Sequence, residues 1–307
     1  MRLLKEDTHI DFLGKRKIAA IISGVLIVLG LFSIVYHQGL NYGIDFKGGF
    51  QVRILFEKVV DLDELRGQFD RPGMGSVSLQ TIGDGNEVKL VLPLTNSLGS
   101  GAELTENLKK LLAKNYPKLE VRSIESVGPQ VGDELKKSAL YAILISLGLI
   151  LVYISLRFHW KFGISAILTL AHDICIVVGF FSMFNMEFSL PVIAALLTVV
   201  GYSLNDTIVV FDRIRENMAR FRKKTLGDII NLSINETLTR TLLTSGTTLF
   251  VVLALFFLGG DIIHDFSFGI LMGILVGTYS SIYVASPLLL IMSVQTPLLK
   301  QQQSKNV

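Results

Sequence analysis

Six stretches of this chain are too apolar and too long to be loops, or the strands of a small water-soluble domain. A helix needs about 20 predominantly apolar residues to cross a bilayer core, and uncharged runs near that length are the readable signal. Residues 18–36 and 140–156 are uncharged, and 162–184 are interrupted only by His172 and Asp173. Residues 190–211 contain Asp206 alone, 241–260 are uncharged, and 266–294 are uncharged and long enough to tilt. The runs predict six transmembrane helices near 18–36, 138–157, 162–184, 190–211, 241–260 and 266–294. Composition agrees, since 50% of the 307 residues are apolar and only 18% are Asp, Glu, Lys or Arg, against roughly 25% in soluble domains.

The charges that remain are unevenly placed. Residues 37–134 hold 11 Lys/Arg and 14 Asp/Glu, whereas the other 209 residues hold 18 and 12. The Lys/Arg bias of short loops marks the cytoplasmic side. It places residues 1–17, a basic loop 212–240 and a tail 295–307 inside, so that both termini are cytoplasmic. Lys15, Arg16, Lys17, Arg157, Lys161, Arg213, Arg215, Arg220, Arg222, Lys223 and Lys224 then share that side with Lys300 and Lys305. The outer turns hold only Glu187, Asp261 and Asp265, and Lys136 and Lys137 snorkel as exceptions. The first run follows basic residues as a signal peptide does, but it lacks an Ala-x-Ala exit and reads as a retained anchor. From 212 the chain is expected to form an amphipathic helix on anionic headgroups, with docking to a protein partner as the alternative.

Residues 37–134 are expected outside, as a small α+β unit. A strand fits 51–57, where Val52, Ile54 and Phe56 alternate with polar positions. Asp61 and Glu64 suggest a capped helix that stops before Pro72 and Gly73. Strands at 77–82 and 87–92 flank the hairpin signal Asp84-Gly85. A helix at 103–114 and a strand at 119–124 complete a βαββαβ order, the ferredoxin-like pattern. The glycine-rich run Gly43-Ile44-Asp45-Phe46-Lys47-Gly48-Gly49 reads as a turn or bulge leading from membrane into the first strand, or as a contact surface for a partner. It matches neither a P-loop nor a dinucleotide fingerprint.

An intramembrane carboxylate is costly and is by default a functional hypothesis whose partner should be named. Asp206 lies six residues before Asp212, hence about 9 Å in from the cytoplasmic end. Arg240 can reach that level from the fifth span, with Thr244 and Thr247 or Thr248 on the same stripe. Burial favours the neutral acid and Arg240 the carboxylate, so water access or movement of Arg240 would switch protonation. The pair is therefore a proton relay or a static ion pair that fixes packing. Asp173, beside His172, and Asn205 are secondary relay candidates, Asp173 with a packing role as its alternative. An aspartyl intramembrane protease would also pair two aspartates, but its Gly-x-Gly-Asp motif is missing. Gly269, Gly273 and Gly277 form a small-residue face for close helix packing. A single cysteine, Cys175, excludes an internal disulfide framework, and the five histidines lack metal-ligand spacing. A net charge of +3, without aromatic clusters, argues against nucleic acid as a partner. No feature points to a hydrolase or redox enzyme.

Several motifs, in order, together resemble the SecD/SecF family of protein-export membrane subunits, within the resistance-nodulation-division superfamily. They are Gly43 to Gly49, Val127-Gly128-Pro129 with Val131-Gly132, Ala171-His172-Asp173, and Gly201-Tyr202-Ser203-Leu204-Asn205-Asp206. Phe211 to Asn217 and Arg240-Thr241 with Thr244-Ser245-Gly246-Thr247-Thr248 complete the set. The resemblance covers residues 18 to about 292. It implies a six-span protein of the bacterial inner membrane with a periplasmic domain between the first two spans. It further implies partnership with SecD, the SecYEG translocon and YajC, contact with translocating unfolded polypeptide and with membrane lipids, no cofactor, and protons as the coupling ion. By matching positions, Asp206 would carry the proton and Arg240 would be its charge partner. Two rival readings stay open: a proton-coupled small-solute antiporter of the same superfamily, and a structural subunit that carries no protons.

Overall fold

The structure, a computed structural model, describes residues 9–69, 77–83, 85–94 and 99–292. The helix stop expected at Pro72 and Gly73, the Asp84 half of the hairpin signal and the tail 295–307 lie outside the described residues. In chain order the elements are α1 (Arg16–Tyr36), α2 (Ile44–Lys47), β1 (Gly49–Phe56), α3 (Leu62–Phe69), β2 (Ser78–Ile82), β3 (Glu87–Leu92), α4 (Gly101–Leu112) and β4 (Leu119–Val127). They continue with α5 (Pro129–Arg157), α6 (Trp160–Met183), α7 (Leu190–Arg220), α8 (Leu226–Leu258) and α9 (Asp261–Ser280). A π-helical turn, Ser281–Ala285, then joins α9 to α10 (Ser286–Ile291).

Six helical stretches are long and apolar enough to cross a membrane, but four of them overrun the expected bounds by several residues. α5 begins at Pro129 rather than near 138, because proline is suited to a first helical turn and the charged residues after it can stay helical outside lipid. The expected basic loop 212–240 is not a loop. α7 runs unbroken to Arg220, and α8 starts at Leu226 behind a capping box in which Thr225 and Asp228 bond each other's amides. Nor does this segment lie flat as a headgroup helix. Phe211, Ile214 and Met218 on α7 and Ile229, Ile230 and Ile234 on α8 bury one face in a shared core with Phe12 and Leu13. Arg213 and Asn217 each donate to Glu236 at 2.6 Å across the pair. The residues before α1 are held there too, by Asn231 and Asn235 bonding the Ile10 carbonyl at 3.0 and 2.9 Å.

The last span starts at Asp261 rather than 266 and loosens into the π turn. Pro287 has no N–H for the carbonyl four residues back, and Ser165 on α6 donates to the Ala285 carbonyl at 2.8 Å. Small residues set the helix spacing. Gly30 on α1 and Gly179 on α6 bring two backbones into contact, and the Gly269, Gly273, Gly277 face of α9 lies on Ala195, Val199 and Ser203 of α7.

The insert has the ferredoxin-like arrangement expected, an antiparallel sheet in the order β2-β3-β1-β4. Val52, Ile54 and Phe56 of β1 and Val88, Leu90 and Leu92 of β3 point to one face and pack on Leu65, Phe69, Leu104, Leu108 and Leu112 of α3 and α4. The other face turns towards the membrane helices across a cavity of about 300 Å³ lined by Arg53, Lys89 and Glu125 from the sheet and Glu187, His264 and Asp265 from the helix ends. The glycine-rich run is more than a turn. Ile44–Lys47 forms one helical turn, after which Gly48 and Gly49 take φ values of 72° and 136°, the region that glycine alone enters freely. A Cβ on Gly49 would stand 2.5 Å from the Leu92 carbonyl oxygen.

Candidate functional site

Two aspartates lie fully inside the helical bundle, and their surroundings differ. Asp206 on α7 is 2% exposed and Asp173 on α6 is 1% exposed. Ser203 falls one turn before Asp206 on the same helix, and its hydroxyl donates to Asp173 Oδ2 at 2.6 Å. The two carboxylates therefore sit about one turn apart, on either side of the α7–α9 seam.

Asp173 is the hub of a filled network. Ser203 from α7 and Ser280 from the end of α9 both donate to Oδ2, the second at 2.8 Å. His172 Nδ1 is 2.9 Å from Oδ1, and its Nε2 is 2.9 Å from Ser23 Oγ on α1. Ser23 is in turn 3.0 Å from the Tyr279 hydroxyl, which donates to the Ala19 carbonyl at 2.7 Å. Four helices thus meet through one carboxylate. Such a network fixes packing, because each member left alone would be a buried unpaired polar group.

Asp206 is sparsely held. Among the described residues its one hydrogen-bond donor is Ser245 on α8, 3.2 Å from Oδ2. Ser245 in turn accepts from Thr278 on α9 at 2.8 Å. The neighbouring Thr207 hydroxyl is buried without a partner among the described residues. An ionised carboxylate offers about four acceptor positions, so one neutral hydroxyl leaves Asp206 poorly compensated as an anion. A buried acid in this setting can exchange a proton at modest cost in surrounding structure, whereas Asp173 cannot lose its partners without disturbing four helices.

The other expected site residues are placed as follows. Arg240 is exposed, and no carboxylate of the described residues, Asp206 included, lies within 4.0 Å of it. It stands five residues before Ser245 on α8, about 7.5 Å along the axis. The hydroxyls of Thr244 and Thr247 bond carbonyls of their own helix, at 2.9 Å to Arg240 and Leu243 respectively, and Asn205 and Thr247 are exposed. Ser245, named only as part of the Thr244 to Thr248 motif, and Ser280 do reach the carboxylates, but serine is cheap in a helix and carries no spacing signal that marks either as a partner. Ser203 could have been found, three residues from Asp206 and so on the same face. Asp45 accepts from the Leu190 amide at 2.8 Å, and Gly43 donates its amide to the Phe188 carbonyl at 3.0 Å. The described residues hold no cluster of three or more His, Cys, Asp or Glu able to bind a metal.

The sequence profile described as "Protein export membrane protein SecD/SecF, C-terminal" matches residues 107–295, and that described as "SecD/SecF GG Motif" matches residues 34–58. Among similar proteins, the "Protein translocase subunit SecF" of Calditerrivibrio nitroreducens is 48% identical over 94% of this chain and 95% of its own. That of Vibrio alginolyticus is 46% identical, over 96% and 93%. The solved SecDF of Thermus thermophilus, titled a translocon-associated membrane protein, superposes with a TM-score of 0.84 at 41% identity. It is covered over 94% of this chain and 39% of its own. A SecDF in a "Super-membrane-facing form" superposes at 0.68 with 39% identity, over 99% and 41%. This chain therefore spans about two fifths of those solved chains.

Proposed function

The chain belongs to the SecD/SecF protein-export family, in its SecF branch, and we propose that it serves the Sec translocase as a proton-driven subunit. Beside a SecD-type partner, at the SecYEG channel, it uses the proton-motive force to help draw and release exported polypeptide on the outer side of the inner membrane. The observation that carries this reading is Asp206, a buried carboxylate with one neutral donor in the middle of a continuous helix. A proton crossing the membrane supplies about 2.3 kcal/mol per 100 mV, enough to bias a two-state equilibrium by roughly fifty-fold.

Arg240 completes the relay in this reading by approaching Asp206 in one state and withdrawing to the aqueous boundary in another. Its exposure, a turn and a half along α8 from Ser245, suits the withdrawn state. In this reading the insert lies outside and both termini inside: α7 starts beside the insert at Leu190 and runs to Arg220, so Arg215, Arg220, Arg222, Lys223 and Lys224 fall at its far, cytoplasmic end. The exposed apolar faces of α5 (Leu140, Leu144, Ile145, Leu149) and α8 (Phe250, Val251, Phe257) meet lipid and the SecD-type partner. The protein catalyses no covalent step and needs no cofactor beyond the proton.

The reading is tested in sealed membrane vesicles that contain SecYEG, this chain and its SecD-type partner. An imposed proton gradient should speed completion of export of an unfolded substrate, and membranes without this chain should lose that acceleration. Equal acceleration without the chain would overturn the reading. A finer prediction concerns Ser245→Ala. Losing a hydrogen bond to a buried group costs about 1 kcal/mol, a factor of about five, so gradient-stimulated export should fall by about that factor. Thr244→Ala, whose hydroxyl serves its own helix, should stay within about twofold of wild type. Equal behaviour of the two variants would sever Ser245 from the relay.

A further inference from the structure

The insert is joined to the membrane helices by two covalent strands, residues 37–49 and 127–132, and both converge on α2. A Cβ on Gly48 would stand 3.2 Å from the Val127 carbonyl and 3.3 Å from Pro129, and one on Gly132 would stand 3.1 Å from the Phe46 carbonyl. Phe46 itself is a wedge, 3% exposed, among Ala139 of α5, Val177 and Phe181 of α6, Val192 and Leu196 of α7 and Phe268 of α9. Directly after α2, Gly48 and Gly49 feed the central strand β1. Both covalent connections between the sheet and the bundle therefore meet at α2.

α7 is tied to this junction by polar contacts distant in sequence. The Asp45 carboxylate accepts the Leu190 amide at 2.8 Å, while Ser189, the residue at the N-cap position, makes no side-chain capping bond. The first turn of α7 is thus capped from α2 rather than from its own sequence. Residues 41–43 and 188 pair alongside, with the Phe188 amide donating to the Asn41 carbonyl at 2.7 Å and Gly43 donating to Phe188 at 3.0 Å. Lys89 of β3 forms an ion pair with Glu187 in the turn before α7. From Leu190 the helix is continuous to Arg220, so Asp206 lies about 24 Å down one rigid rod from the Asp45 contact.

We propose that Asp45 is a positioning residue for energy coupling: through its bond to the first turn of α7 it transmits displacement of the Asp206-bearing helix to α2 and thence to the sheet. The proposal rests on the proton-driven reading above. It assigns to the glycine-rich run a mechanical task, in which Gly48 and Gly49 allow α2 to abut β1, β4 and α5 at once and Asp45 adds a directional hydrogen bond to α7 beside the apolar packing of Phe46.

The test separates coupling from capping. In vesicles holding the full chain with SecYEG and its SecD-type partner, gradient-driven proton flux and gradient-stimulated export are measured in parallel for three variants. Asp45→Ala should keep proton flux within about twofold of wild type and lose about tenfold in export stimulation. Asp45→Asn, which retains an acceptor oxygen, should recover export to within about threefold. The double variant Asp45→Ala with Ser189→Asp gives α7 a local cap, restoring helix stability without restoring the link to α2, and should stay uncoupled. Four outcomes would overturn the proposal: normal export by Asp45→Ala, parallel loss of flux and export, rescue of export by Ser189→Asp, or failure of the double variant to accumulate in the membrane. Absence of gradient-stimulated export in wild type would instead remove the proton-driven reading.

Discussion

Asp206→Asn is expected to insert, accumulate and copurify with its partners at wild-type levels, and to reduce gradient-stimulated export to the rate seen without a gradient. Asparagine matches aspartate in volume, and its carbonyl oxygen can keep the bond that Ser245 donates at 3.2 Å. It is neutral, so a position only 2% exposed loses the cost of a buried charge and the fold should be at least as stable. What disappears is the ability to bind and release a proton. If protonation at this site supplies up to about 2.3 kcal/mol per 100 mV to a conformational step, its removal should lower gradient-driven turnover by ten-fold or more. Proton flux into vesicles should fall with it. Normal export by the variant would dismiss the relay, and loss of copurification with retained flux would favour a structural subunit.

The same substitution at Asp173 should behave differently, and the reason lies in how each aspartate is held. At Asp173 the amide nitrogen of Asn would have to face either the hydroxyl pair Ser203 and Ser280 or His172, and a network joining α1, α6, α7 and α9 would have to rearrange. Both residues stood out in the sequence for one reason, a charge inside an apolar run. Nothing in the sequence ranked them by partners, because the partners are serines on other helices at no fixed spacing.

Much of the fold was legible for a comparable physical reason. Lipid demands apolar runs, and a half-buried sheet demands alternation, so six spans and a βαββαβ insert could be read directly. Helix ends could not. The return of charge marks where a helix leaves lipid, and α7 and α8 go on past that point because Ile214, Met218, Ile230 and Ile234 keep a buried face at helical spacing. Amphipathicity there is visible and suggests a helix lying on headgroups, but its apolar face packs on the neighbouring helix and on Phe12 and Leu13. The Asp45 link was beyond reach, since a carboxylate bonding an amide 145 residues away leaves no pattern. Glycines were readable as positions needing room. That two of them let one helical turn touch β4, the start of α5 and the Leu92 carbonyl is a tertiary fact.

Gly273→Leu is expected to be the most destructive single change in the membrane domain. A Cβ at Gly273 would overlap the Val199 side chain, 2.6 Å from Cγ1 and nearer still to Cγ2, while Gly269 and Gly277 would meet Ala195 and Ser203 at 3.0 and 2.9 Å. In lipid no hydrophobic force holds helices together, so close packing and interhelical hydrogen bonds carry the association. Overpacking costs about 1–3 kcal/mol by itself. Here it would also separate the helices that carry the donors to both aspartates, Ser203 and Ser280 for Asp173 and, through Ser245, Thr278 for Asp206. Each donor withdrawn adds about 1 kcal/mol or more, so a total near 4 kcal/mol is expected, read as a large drop in the thermal midpoint of detergent-solubilised protein. Val199→Ala in the same chain should return part of the loss, giving a coupling energy of about 1 kcal/mol in a double-mutant cycle. Gly201→Leu serves as the control on α7: a Cβ there meets nothing within 4 Å, and replacing a helical glycine gains up to about 1 kcal/mol in propensity. If Gly273→Leu proved as harmless as Gly201→Leu, the α7–α9 seam could not be what holds the two carboxylate sites together.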